Sequence, residues 1–83
     1  MDKAVVTKWI NRYPDLVKFM DAGTISLKMA REILDVDRWF MYDIFKELLT
    51  AGAVTASGNN SWRATPELKA FLKEYRENQR REA

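Results

Sequence analysis

Between Thr24 and Thr65, two apolar-periodic segments flank the short break Asp35-Val36-Asp37, and the second runs out at Ala51-Gly52. Beyond it lie two stretches of strand character, Ala53 to Ala56 and Ser61 to Ala64, around Ser57-Gly58-Asn59-Asn60. Those four residues are of types that tolerate tight-turn backbone, so they mark a hairpin tip. Helix, turn, helix, hairpin is the order this stretch imposes. The rest of the chain reads as its support.

In the first of the two helices, Leu27, Ala30, Ile33 and Leu34 form the inner face. Ser26 precedes it and offers a side-chain oxygen to the free N–H groups of the first turn. Thr24-Ile25-Ser26 is a short β-branched segment suited to a small strand that pairs with the hairpin. A small residue at Ala30 lets another helix cross closely, although Ala is also simply a good helix former. In the break, Val36 is the apolar plug and Asp37 the N-cap of the helix 38–51. At about 100° per residue, Met41, Ile44, Phe45 and Leu48 lie inward, with Phe40, Tyr42 and Leu49 on the flanks. Trp39, Asp43, Lys46 and Thr50 point outward.

The flanks are helical too. Val5, Val6, Trp9, Ile10 and Tyr13 approach amphipathic spacing over residues 3–12. Pro14 disfavours helical backbone at Tyr13 and is suited to open a new helix carrying Leu16, Val17, Phe19 and Met20, which Gly23 ends with left-handed backbone. Thr65-Pro66-Glu67 is a compact helix start, and Leu68, Phe71, Leu72 and Tyr75 follow at i, i+3, i+4 and i+7. After Tyr75 the sequence RENQRREA has no apolar anchor besides Ala83, so a frayed tail is expected. The expected class is α+β, mostly helical, in one domain over residues 1–83: N-terminal helices over 1–23, the central motif over 24–65 and a C-terminal helix over 66–83.

With 83 residues the chain buries about 60 % of its extended surface, which makes stability marginal unless the core is rich. The 47 % hydrophobic content, with three Trp, three Tyr and four Phe, supplies that core. There is no Cys and no His. A disulfide framework and a Cys-based zinc site are thereby excluded, and the usual general base and metal ligand are missing. No Gly-rich phosphate loop is present, and Asp35, Asp37 and Asp43 do not share a face with metal-ligand geometry. The expectation is therefore a non-enzyme with no cofactor and no metal. No apolar run approaches the roughly 18 residues that span a bilayer, and no secretory signal opens the chain, so a cytoplasmic setting without a membrane partner is expected. Net charge is +2, unevenly placed. Residues 23–51 carry four positive and five negative side chains, and residues 52–65 carry Arg63 alone.

Residues 24–67 resemble a winged helix-turn-helix domain of the MarR-like and PadR-like kind. The resemblance rests on Ile25-Ser26 before the first helix, on Ala30, Leu34 and Val36, and on the Met41/Phe45/Leu48/Gly52 spacing. The Leu-x-x-x-Gly-Ala-Val entry into the wing and Arg63-Ala64-Thr65-Pro66-Glu67 leading to the last helix complete it. It covers about half the chain. It implies a DNA-binding transcription regulator, such as a repressor, of a bacterium, phage or mobile element, and double-stranded DNA as partner. Helix 38–51 would enter the major groove, with the 57–62 tip on the backbone or in the minor groove. Carried over by position, Arg38, Trp39, Tyr42, Asp43 and Lys46 face the bases, with Arg38 suited to guanine and Asp43 to cytosine. Ser26, Lys28, Asn59, Asn60 and Arg63 take phosphates. A homodimer would add contacts and half-sites, with Trp9, Tyr13 and the last helix as its surfaces.

The outer face is more aromatic and less basic than a DNA reader usually is. Trp39 has three readings: a protein or dimer contact, core packed on the N-terminal segment, or a DNA contact. The alternative function is a winged helix used as a protein-interaction module for a polymerase, replication or host factor, with Trp39 and Tyr42 as hot spots. Trp62 is expected to cover the hairpin and pack towards the last helix, and Trp9 to be core or dimer surface. The tail residues Arg76, Arg80 and Arg81 read either as a solvated helix end or as a phosphate-contacting extension.

Overall fold

The computed structural model describes residues 1–82. In chain order it places α1 (Lys3–Arg12), a 3-10 turn (Pro14–Lys18), β1 (Ile25–Ser26), α2 (Leu27–Leu34), α3 (Arg38–Thr50), β2 (Val54–Gly58), β3 (Ser61–Ala64) and α4 (Pro66–Glu82). The architecture is α+β and mostly helical, with a small antiparallel sheet in the order β1-β3-β2. No described helix is long and apolar enough to cross a membrane.

The helix starts are chemically specified. The Asp2 carboxylate accepts from the Ala4 and Val5 amides and opens α1. Ser26 accepts from Met29 N–H, and Asp37 accepts from Phe40 N–H at 2.9 Å. Thr65 accepts from Leu68 N–H while its hydroxyl donates towards the Gly52 and Ala53 carbonyls. Each cap satisfies a donor that an isolated helix leaves unpaired. Between α2 and α3, Asp35 adopts left-handed backbone (φ 53°) and ends α2, while Val36 packs against the core. The Asp35-Val36-Asp37 break is thus a turn and a cap, as its residues lead one to expect. Gly52 (φ 79°) lets the chain leave α3.

In the sheet, Ile25 faces Trp62, and Ala56 also faces Trp62 from the other side. The next pair is Gly58 with Ser61, so Ser57 is an extra residue that bulges the hairpin. The core gathers Ile25, Ala30, Met41, Ile44, Phe45 and Ala53, all without solvent exposure, with Val6, Trp9, Leu16, Phe19, Leu48, Leu68 and Leu72 around them. Among the described residues its closest ring pair is Phe45 on Trp62, stacked at 4.0 Å with the rings 2° apart.

Four expectations change. The segment after Pro14 is a 3-10 turn ending at Lys18, not a helix running to Gly23, and Gly23 does not take left-handed backbone. Arg76 donates to the Val17 carbonyl, the acceptor that a continuing helix would use for Asp21 N–H. The tail does not fray at Tyr75: α4 is helical to Glu82. Residues 76–82 are mostly good helix formers, Gln79 donates to Tyr75 at 2.9 Å, and Arg76 anchors the helix to Asp21. The expectation for Ala83 lies outside the described residues. Ile33 is 37 % exposed, because it lies at the edge of the α2 stripe in the helix's last turn. Finally, Trp62 packs on α3 through Phe45 and Tyr42. It was expected to turn towards α4.

Candidate nucleic-acid interface

The buried arc of α3 holds Met41, Ile44, Phe45 and Leu48. Opposite it, Trp39, Asp43, Lys46 and Thr50 are exposed, as the periodicity of residues 38–51 requires, and Arg38 and Leu49 are exposed on the flank. Lys46 lies near the middle of the whole exposed arc at about 100° per residue. Trp39 is 72 % exposed, and its ring tilts over Tyr42 at 6.2 Å. It does not pack on the N-terminal segment, so the core reading of Trp39 is set aside. Phe40 takes that role, packed on Trp9 of α1. Trp9 is buried and meets Phe40 edge-on at 5.9 Å, beside Tyr13 at 6.4 Å. The Arg12 guanidinium lies 5.5 to 5.8 Å from the rings of Phe40, Trp9 and Tyr13 and closes that cluster.

Tyr42 is half-buried and does not project freely. Its ring meets Trp62 edge-on at 6.2 Å, and its hydroxyl donates to the Asn60 side-chain carbonyl. Asn60 has left-handed backbone (φ 57°), as the hairpin turn demands. Its own carbonyl accepts from Leu27 N–H at 2.9 Å. One turn residue therefore ties the hairpin tip to the start of α2 and to the side of α3. Asn59 is exposed beside it, and Arg63 is exposed on β3 opposite Thr55. At the start of α2, Ser26 has one lone pair engaged as the cap and Lys28 is exposed.

The electrostatics of this face differ from a count along the sequence. Lys8, on α1, binds Glu47 at 2.8 Å and offsets one of the acids of α3. Asp37 is engaged with a backbone amide. Among the described residues, none of Lys28, Arg31, Arg38, Lys46 and Arg63 enters a salt bridge. With Glu47 answered by Lys8, residues 23–51, the two helices with the turn between them, sum to zero, and Arg63 makes the face weakly positive. Asp43 stays exposed within it.

The structure thus brings Arg38, Trp39, Tyr42, Asp43 and Lys46 together on α3, and joins Asn60 to them through Tyr42. Arg31 was not among the expected residues. It is exposed on α2, with its Nε 3.5 Å from the Val36 carbonyl. Its signal was the spacing Lys28 to Arg31, i to i+3, which puts both cations on one helix flank. On α4, Arg76 is already engaged. It contacts Asp21 at 2.6 and 3.1 Å, which holds the Asp21 carboxyl below its ordinary range and raises the guanidinium. The hydrogen bond is the larger cause in both cases.

No family model matches the chain, and no curated protein or solved structure does either.

Proposed function

We propose that the chain is a winged helix-turn-helix DNA-binding protein, a transcription regulator of the bacterial, phage or mobile-element type. In this reading α3 enters the major groove, and the β2–β3 turn lies along the backbone beside it. The observation that carries it is the Tyr42–Asn60 hydrogen bond, which fixes the turn against a helix whose exposed Arg38 and Lys46 form no ion pair among the described residues. Arg38 and Lys46 supply donors to base edges or phosphates, and Lys28, Arg31 and Arg63 supply phosphate contacts. Few cations per subunit imply weak binding by a monomer, so the regulator acts as a homodimer on two half-sites. Trp9 is buried within the subunit, which leaves the partly exposed Phe71–Tyr75 pair of α4 as the apolar contribution to that dimer.

A second reading has its own support in Trp39. A tryptophan this exposed, braced by a tyrosine, is the composition of a protein-binding hot spot. In that case the same α3 face takes a protein partner.

A nuclear-magnetic-resonance titration of labelled protein with mixed-sequence duplex separates the two. The expected result is shifts concentrated in α3 and the hairpin. Lys46→Ala and Arg63→Ala each weaken binding and lower the salt slope by about 0.9. A spectrum unchanged by duplex at low salt overturns the DNA reading and favours the protein partner.

A further inference from the structure

Outside the α3 face, the strongest charge pattern is on α4. Lys69, Lys73, Arg76 and Arg80 follow one another at steps of four, three and four. At about 100° per residue, all four fall within an arc of about 60°. They border one shallow depression together with Asp21 and Glu77. The apolar side of α4, Leu68 and Leu72, is buried against the core. Its acids Glu67 and Glu74 fall on the other flank, while Glu77 sits at the border of the stripe, so the depression carries four cations against two acids. Arg76 is held by Asp21 and Val17 and so fixes the helix in place. Lys69, Lys73 and Arg80 are exposed and, among the described residues, form no salt bridge.

We propose that the Lys69–Lys73–Arg76–Arg80 stripe of α4 is a second phosphate-binding surface that tracks the backbone of duplex DNA. The charge is arranged as a line on a rigid rod. Its length, eleven residues at 1.5 Å each, is about 16 Å. Measured along the duplex axis, one strand rises about 3.4 Å per phosphate, so the stripe covers the axial rise of about five phosphates and meets fewer of them along the winding backbone. A regularly charged, linear polyanion is the ligand whose charges match such a line. An anionic membrane fits less well. A helix that lies on lipid needs a free apolar face beside its cations. The exposed large apolar side chains among the described residues, Ile33, Trp39 and Leu49, are not on this helix. The inference extends the DNA-binding reading and rests on it only for the identity of the polyanion. It also accounts for a regulator with a nearly neutral α2–α3 face: the sequence-independent part of the affinity is supplied elsewhere.

The test is duplex affinity of the full chain against salt, with two unrelated duplexes. The stripe variant is Lys69→Gln/Lys73→Gln/Arg80→Gln, which spares Arg76 and preserves helix propensity. A charge-matched variant, Lys3→Gln/Lys18→Gln/Arg81→Gln, lies off the stripe. The stripe variant is expected to lose about two to three units of salt slope and about tenfold or more in affinity, equally on both duplexes. The charge-matched variant is expected to lose clearly less. Equal losses in the two variants, or no loss in the stripe variant, overturn the proposal. So does tighter binding of the native chain to phosphatidylserine vesicles than to duplex. Arg38→Ala/Lys46→Ala, run in parallel, separates the two surfaces. If it has no effect while the stripe variant loses affinity, the α3 reading falls and the stripe stands. If it alone loses affinity, the stripe falls.

Discussion

The Arg76 guanidinium reaches both Asp21 carboxylate oxygens and the Val17 carbonyl, and so staples α4 to the segment before β1. A fork-to-carboxylate pair of this kind is at the strong end of partly exposed ion pairs, about 1 kcal/mol. Because the Asp21 carboxyl is depressed in the folded state, its contribution is present above the ordinary unfolded value of 3.8 and fades as pH falls through the lower, folded value. Asp21→Asn should therefore cost about 1 kcal/mol at neutral pH in urea melts, with the gap to the native chain closing below about pH 4. A gap independent of pH would assign the cost to packing. Gly52 is a second test at this scale. At φ 79° an added Cβ meets only the Met1 backbone, Cα at 3.7 Å and N at 4.0 Å, so space is not the obstacle. Gly52→Ala should still lower stability by about 1 to 2 kcal/mol through left-handed strain, read in the same melts. The two residues differ in how far the sequence exposes them. Gly52 follows an amphipathic helix and is legible as a stop. Asp21 and Arg76 are 55 positions apart, and no local pattern joins them.

At the scale of elements, two tryptophans near α3 that any hydrophobicity ranking treats alike end in opposite environments. Trp62 is 8 % exposed and stacked on Phe45, whereas Trp39 is 72 % exposed. Trp62→Ala should cost about 3 to 5 kcal/mol in thermal or denaturant unfolding. Trp39→Ala should stay within about 0.5 kcal/mol while weakening whichever partner α3 binds. A large loss of stability from Trp39→Ala would mean that the ring is structural. The orientation of Trp39 was legible, because helical periodicity sorts a 13-residue helix into two arcs. Trp62 was harder. Strand alternation says which face a residue takes but not which helix covers that face, so its pairing with α3 came only from the three-dimensional arrangement. The 3-10 turn and the length of α4 were missed for a related reason. Apolar periodicity sees neither a side chain that takes a backbone carbonyl nor a polar helix end held by a distant carboxylate.

On the scale of the whole molecule, the order of elements and nearly all of the core were written in the pattern of apolar residues. The candidate interface was legible only in part. Trp39, Asp43 and Lys46 followed from helix geometry, and Arg38 only from the position it holds in the resemblance. The neutralisation of Glu47 by Lys8 and the tie from Asn60 to Tyr42 join segments 39 and 18 positions apart, which spacing rules do not reach. That tie makes a further prediction. Tyr42→Phe should leave the fold and its melting nearly unchanged, within about 1 kcal/mol, while hydrogen exchange quickens at the hairpin turn and at Leu27 N–H. Unchanged exchange there would show that the turn is held without the phenol.

The two-residue strand β1 has a consequence for how the chain assembles. Its pairing of Ile25 with Trp62 closes a loop that contains α2, α3 and the first half of the hairpin. Closing a loop of that length costs about 3 kcal/mol of chain entropy, and two residues of ladder repay little of it. The closure therefore has to wait until α2 and α3 have already brought its ends together. β3 lies between β1 and β2, so the hairpin is not an appendage that can be trimmed. A chain cut back at Gly58 would lose β3, the latch on its own helices, and with it α4 and the core residues Leu68 and Leu72.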